Sequence, residues 1–203
     1  MCLDNSSRFS DNGNFFRCDL ADNTGGQCRP GEGNSVKYRF GEAKAAAGLD
    51  HPNVVAVHSV GEANGYHYIE MEFVDGESVQ DRIRREGKPA PLDATRIAIE
   101  TAKAIHAASA KGIVHRDIKP ANIMISKAGK VKVMDFGLAK DVTVEAQITS
   151  EGRVMGTPYY MSPEQCQGQP LDTRADIYSL GAAYFYLLTG RLPYKADTHM
   201  AVM

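Results

Sequence analysis

Residues 173–189, TRADIYSLGAAYFYLLT, set the tightest limit on what this chain can fold into. Ile177, Leu180, Ala182, Ala183, Tyr184, Phe185, Leu187 and Leu188 spread around the helical circumference instead of forming one stripe. Asp172 is suited to cap the start of such a helix and Gly190 to stop it. A helix that is apolar nearly all round is a buried core helix. Its apolar stretch, Ile177 to Leu188, is too short to span a bilayer. The chain is therefore expected to build a globular core around it.

Composition agrees. The sequence has 203 residues, of which 43% are hydrophobic, enough for a packed core. Twenty-five acidic residues against 23 basic ones leave a formal charge of −2, so no basic excess exists to grip nucleic acid. Four cysteines are too few for a disulfide scaffold, and Cys2, Cys18 and Cys28 lack the paired spacing of a zinc site. The start, MCLDNSSRFS, has no basic region followed by an apolar stretch, so no leader is expected. These features predict a soluble, cytoplasmic protein with no nucleic-acid partner and no membrane segment.

Along the chain, residues 1–36 are rich in Asn, Asp, Gly and Ser, and their apolar residues follow neither a helical nor a strand period. They read as a disordered polar segment. FGEAKAAAGL, from Phe40, reads as a helix. HPNVVAVHSV and YHYIEMEFV read as strands around the turn GEANG, and Ser78–Arg85 as a short helix. Asp93 would cap a helix from Ala94 to Lys111, stopped by Gly112, with a stripe of Ile97, Ala98, Thr101, Ala102, Ile105 and Ala108. NIMI and KVKVMD read as strands joined by a turn at Ala128 and Gly129, and residues 138–171 as a long loop.

The chemistry concentrates in HRDIKPAN, His115 to Asn122. Within a few positions of one loop stand a carboxylate, an ammonium and a carboxamide. The carboxylate of Asp117 can accept a proton from a hydroxyl, Lys119 can neutralise a phosphoryl group in flight, and the Asn122 oxygen can bind a hard cation. Asp135, opening the tripeptide Asp135–Phe136–Gly137 at a strand end, can take the same cation, and Gly137 lets the chain turn away. Neither His58, His67 nor His106 has a partner at metal-ligand spacing.

HRDIKPAN followed by DFG, then GTPYYMSPE (Gly156–Glu164) and DIYSLG (Asp176–Gly181), resembles the eukaryotic-like serine/threonine protein kinases, most of all their bacterial members. HPNVV and EMEFVDG fit the same series in order. The resemblance implies an α+β, partial protein-kinase-like fold: a remnant of the small β-rich lobe over 37–73 and an incomplete helical lobe over 74–203, reaching as far as the family's buried central helix. It implies transfer of the ATP γ-phosphoryl group to Ser or Thr of a protein substrate, with Mg2+ or Mn2+. Asp117 would be the base, Lys119 would contact the transferred group, and Thr157 would bond near both. Asn122 and Asp135 would hold the metal. Met71 would be the gatekeeper, Glu72 and Val74 would meet the adenine edge through their backbone, and Met124 would floor the ring. Glu42 would be the small-lobe helix glutamate that pairs with the family's phosphate-anchoring lysine. His115 would pack and hydrogen-bond, and Asp176 would tie the catalytic loop to the buried helix. Arg116 suggests control by phosphorylation, with Thr149 and Ser150 as candidate sites.

The sequence also departs from the pattern. GEGNSV (Gly31–Val36) lacks the third glycine of a phosphate loop, and Lys37 stands too near Glu42 to be the missing strand lysine. The family's further helices beyond the GRLPY turn are not in the sequence, so Glu164 would lack its arginine and the buried helix would keep an uncovered face. A kinase domain cut at both ends is the expectation. The alternative reading is a catalytically impaired kinase fragment or pseudokinase-like binding module, because positioning of the triphosphate carries most of phosphoryl-transfer catalysis.

Overall fold

A computed structural model describes residues 8–9, 15–19, 47–63, 66–136 and 158–194. Among the described residues, seven strands form two antiparallel sheets. In the first, β1 (Arg8–Phe9), β2 (Phe15–Asp19), β3 (Val57–Ala63) and β4 (Tyr66–Glu72) lie in the order β1-β2-β4-β3. In the second, β5 (Gly76–Ser78), β6 (Ile123–Ser126) and β7 (Val131–Val133) lie in chain order. The described residues also form the helices α1 (Val79–Glu86) and α2 (Pro91–Ser109), between β5 and β6, and α3 (Pro163–Cys166) and α4 (Thr173–Thr189), after β7. The architecture is α+β, as expected.

Two segments expected as loop instead pair. Phe15–Asp19 runs antiparallel to β4, with Phe16 opposite Met71 and Arg17 opposite Glu70, and Arg8–Phe9 adds outside it. The aromatic run FFRCD has strand propensity, and the edge of β4 offers the backbone groups that such a segment needs. The predicted helix from Phe40 lies outside the described residues as far as residue 46. The predicted strand from His51 also shifts. Residues 53–55 are extended but pair only locally with β7, through Val55 N to Val133 O (2.9 Å) and Val133 N to Asn53 O (2.8 Å).

Helix α2 starts earlier than Asp93. Pro91 occupies its first turn, where a missing N–H costs nothing, and Asp93 becomes a first-turn acid facing the helix dipole. Its buried stripe is Ala94, Ile97, Thr101, Ala104, Ile105 and Ala108, while Ala102 faces out. The chain leaves the helix through Gly112 at φ 70°, and the Ile113 N–H returns to the Ala108 carbonyl (3.0 Å).

Helix α4 is capped by the Asp172 side chain, which accepts from Arg174 N (2.8 Å), and ends in left-handed Gly190. It packs on α2, where Leu187 joins Ala94 and Ile97, Tyr184 OH lies 2.9 Å from Thr95 Oγ1, and Thr173 Oγ1 donates to Ser109 Oγ (2.6 Å). The expectation of burial on all sides holds for one face only: Ile177 is 58% and Phe185 44% exposed. The long loop expected over 138–171 contains helix α3. A reciprocal capping box starts it, with Ser162 Oγ accepting from Gln165 N and Gln165 Oε1 accepting from Ser162 N.

Candidate active site

The strand pair β6–β7 carries the site. Ile123, Ile125, Val131 and Val133 point into the core, and this alternation anchors both strands between α2 and the Asn53–Val55 segment. A single 3-10 turn, Pro120–Asn122, leads into β6, and Asp135 lies two residues beyond the end of β7. Met134 N donates to the Asn122 carbonyl (3.0 Å), so the two ends are tied side by side.

At this end of the strands the side chains of the catalytic-loop candidates converge. Lys119 Nζ lies 2.7 Å from Asp117 Oδ2. Asn122 Nδ2 donates to the Asp117 backbone carbonyl (2.8 Å) and to its carboxylate (3.0 Å). The Asp117 side chain remains 42% exposed, so it can be reached from solvent while its orientation is fixed. Asn122 gives its amide protons to Asp117, so its oxygen is the atom that could meet a cation. With the Asp135 carboxylate it could offer two hard oxygen donors. Such a pair suits a Mg2+ that keeps water and substrate oxygens for its other positions. Among the described residues no three His, Cys, Asp or Glu side chains group as a metal site. Burial pushes the Asp135 carboxyl above its ordinary range, and the Asp117 charge adds to this, while His115 and Lys119 act the other way.

The loop is held in an uphill conformation. Arg116 has φ 69° and Asp135 φ 65°, both in the left-handed region and neither a glycine. Asp176, on the first turn of α4 and 1% exposed, accepts from His115 N and Arg116 N, each at 2.8 Å. Burial raises its carboxyl, and the two backbone donors pull it back down. His115 is fully buried. Its Nε2 meets the Met134 carbonyl (2.8 Å), its Nδ1 accepts from Asp117 N (3.2 Å), and its ring meets Phe136 edge to face at 4.6 Å. Those partners assign the ring proton to Nε2. His115 is thus a brace between the two functional segments.

Above the site, Met71 and Val74 are buried with Val55 and Ile69, and Met124 and Met134 pack against them. This brings three of the four expected adenine-site residues onto one apolar wall. The fourth, Glu72, is fixed through its side chain: Oε2 accepts from Lys132 Nζ (2.8 Å) and from Ala56 N (3.2 Å). Lys132 also donates to the Val54 carbonyl (3.2 Å). Glu164 is partly exposed, so its carboxylate carries no uncompensated burial. Cys166 lies at the end of α3, and burial raises its thiol, as befits an inert cysteine. Glu42, Gly137, Thr149, Ser150 and Thr157 lie outside the described residues.

Sequence reasoning missed Gln165. Its Nε2 donates to the Arg116 carbonyl at 2.6 Å, linking α3 to the catalytic loop. The signal was local, since Ser-Pro-Glu-Gln spells a capping box, but the link to Arg116 spans the loop between them.

Comparison with known proteins gives a consistent set of relatives. The model of the protein kinase domain matches residues 31–203. The serine/threonine-protein kinase PknB of Mycobacterium leprae is 42% identical over 165 residues, covering 79% of this chain and 26% of that protein. PknB of Mycolicibacterium smegmatis is 45% identical over 166 residues, covering 79% and 27%. A probable serine/threonine-protein kinase of Clostridium acetobutylicum is 43% identical over 161 residues, covering 79% and 24%. The chain spans about a quarter of the length of these curated relatives. Among the described residues, no helix is long and apolar enough to cross a membrane.

Proposed function

The chain belongs to the protein kinase family, of the bacterial serine/threonine type, and from that premise we propose that it transfers the ATP γ-phosphoryl group to Ser or Thr hydroxyls of a protein. One observation carries the reading: Asp117, Lys119 and Asn122 are joined by hydrogen bonds of 2.7–3.0 Å at the same strand ends that present Asp135. Asp117 orients the substrate hydroxyl and takes its proton. Lys119, already against Asp117, turns its remaining donors to the phosphoryl oxygens. Asn122 and Asp135 would hold Mg2+ or Mn2+, which supplies charge neutralisation along the phosphates when bound. Met71, Val74 and Met124 give the adenine an apolar surface, and the Glu72 and Val74 backbone meets its edge. Thr157 supports Asp117 and Lys119, Glu42 serves the phosphate side, and Thr149 and Ser150 are sites of regulatory phosphorylation acting through Arg116. Residues 37–203 form the kinase portion, with 37–73 as the small-lobe part and 74–203 as the helical part, and residues 1–36 precede it.

The test is phosphorylation of a generic protein substrate by the full chain with Mg2+ and ATP, beside Asp117→Asn. Removing the base should lower incorporation by about a hundredfold or more. Equal incorporation by both proteins refutes the assignment.

A further inference from the structure

Resting on that reading, we infer that Gln165 is a positioning residue for the catalytic base. One carboxamide does two jobs. Its Oε1 accepts from Ser162 N (3.1 Å), closing the capping box that starts α3, and its Nε2 donates to the Arg116 carbonyl (2.6 Å). Ser162 is fully buried, so the side chain that the box orients cannot swing freely.

The residue it grips is the strained one. Arg116 sits at φ 69°, a conformation that side chains other than glycine leave readily unless held. Its N–H is held by Asp176 of α4 and its carbonyl by Gln165 of α3. The carbonyl of Arg116 and the N–H of Asp117 belong to one peptide plane, so fixing the first fixes the second. That N–H donates to His115 Nδ1, and the same backbone sets where the Asp117 carboxylate meets Lys119 and Asn122. Release of the Gln165 contact leaves this peptide free to rotate and relieve the strain. Asp117 then moves off its position, and sub-ångström placement is what phosphoryl transfer depends on. Gln165 thereby couples α3, which follows the segment carrying Thr157, to the geometry of the base.

The variant that isolates this role is Gln165→Glu. It keeps the acceptor for Ser162 N and so keeps the capping box, but cannot donate to the Arg116 carbonyl. Hydrogen exchange on the full chain without nucleotide reads the link directly. In Gln165→Glu the Arg116 and Asp117 amides should exchange about fivefold faster or more, with exchange over residues 173–189 unchanged. In the phosphorylation assay kcat should fall about tenfold with the KM for ATP unchanged. Gln165→Ala, which loses cap and tether together, should show the same loop exchange and a lower midpoint. Unchanged exchange at Arg116 and Asp117, or an equal rise throughout α4, overturns the inference. So does a Gln165→Glu enzyme with wild-type kcat. A wild-type chain no better than Asp117→Asn refutes the kinase reading instead, and the exchange result still judges the tether.

Discussion

Replacing Asp176 tests how the catalytic loop is held. Its carboxylate accepts the His115 and Arg116 N–H groups at 2.8 Å each, inside a site that leaves the residue 1% exposed. Asp176→Ala orphans both buried donors at about 1–3 kcal/mol apiece, so the loss should be about 2–6 kcal/mol. Asp176→Asn keeps one acceptor and turns an NH2 group toward the second donor. It also escapes the burial of a charge, the cause that raises the Asp176 carboxyl. Its loss should therefore be smaller, about 1–3 kcal/mol. Against a total stability of about 5–15 kcal/mol, both are measurable by equilibrium urea unfolding, from the shift in midpoint at constant slope. If Asp176→Ala is too unstable to purify, Asp176→Asn still gives a value. The order is the decisive result. An alanine variant as stable as the asparagine variant, or a loss below about 0.5 kcal/mol in both, would mean that the two bonds do not restrain the loop.

Two further outcomes probe the frame around the site. Gly76→Ala in β5 places a Cβ into the Ile125 carbonyl of β6, so the strands must part; a loss of about 1–3 kcal/mol is expected, read as a thermal midpoint lower by about 2–12 °C. The Glu100 carboxyl is held below its ordinary range first by the Lys103 ammonium and then by the Asn53 amide, at 2.8 and 2.6 Å. A lowered folded value contributes stability above the unfolded value of about 4.3, lost as pH falls through the folded one. Wild type should exceed Glu100→Gln in urea midpoint at pH 7, and the gap should narrow as pH falls below the unfolded value; a gap independent of pH would refute the linkage.

What was legible in the sequence divides by distance along the chain. Asp117, Lys119 and Asn122 fall within one loop, so the residue types alone suggested the chemistry, and their side chains bond to one another at 2.7–3.0 Å. Helix α4 was legible in its ends, because Asp172 and Gly190 act locally. That one face would stay uncovered was also expected, but not which one, because an apolar surface all round does not say which face α2 will cover; Ile177 and Phe185 are the exposed residues. The strand Phe15–Asp19 has aromatic residues to recommend it, but its partner, β4, lies far along the chain, and nothing local in a polar segment announces an edge pairing.

The long-range restraints explain why the local motif is not sufficient by itself. HRDIKPAN specifies the groups, yet Arg116 at φ 69° is a conformation that the octapeptide would not keep alone. Two side chains from elsewhere hold it, Asp176 on the donor side of Arg116 and Gln165 on its carbonyl, and His115 inside the motif is itself braced against Met134 and Phe136. Each restraint draws on a different element, α4, α3 and the strand end after β7. The cost of the strained backbone is thus spread over the helical part of the fold, and the base is positioned only once those elements have packed. Of the residues that hold Asp117 in place, the resemblance already implied Asp176 and His115, whereas Gln165 is legible only from the folded chain.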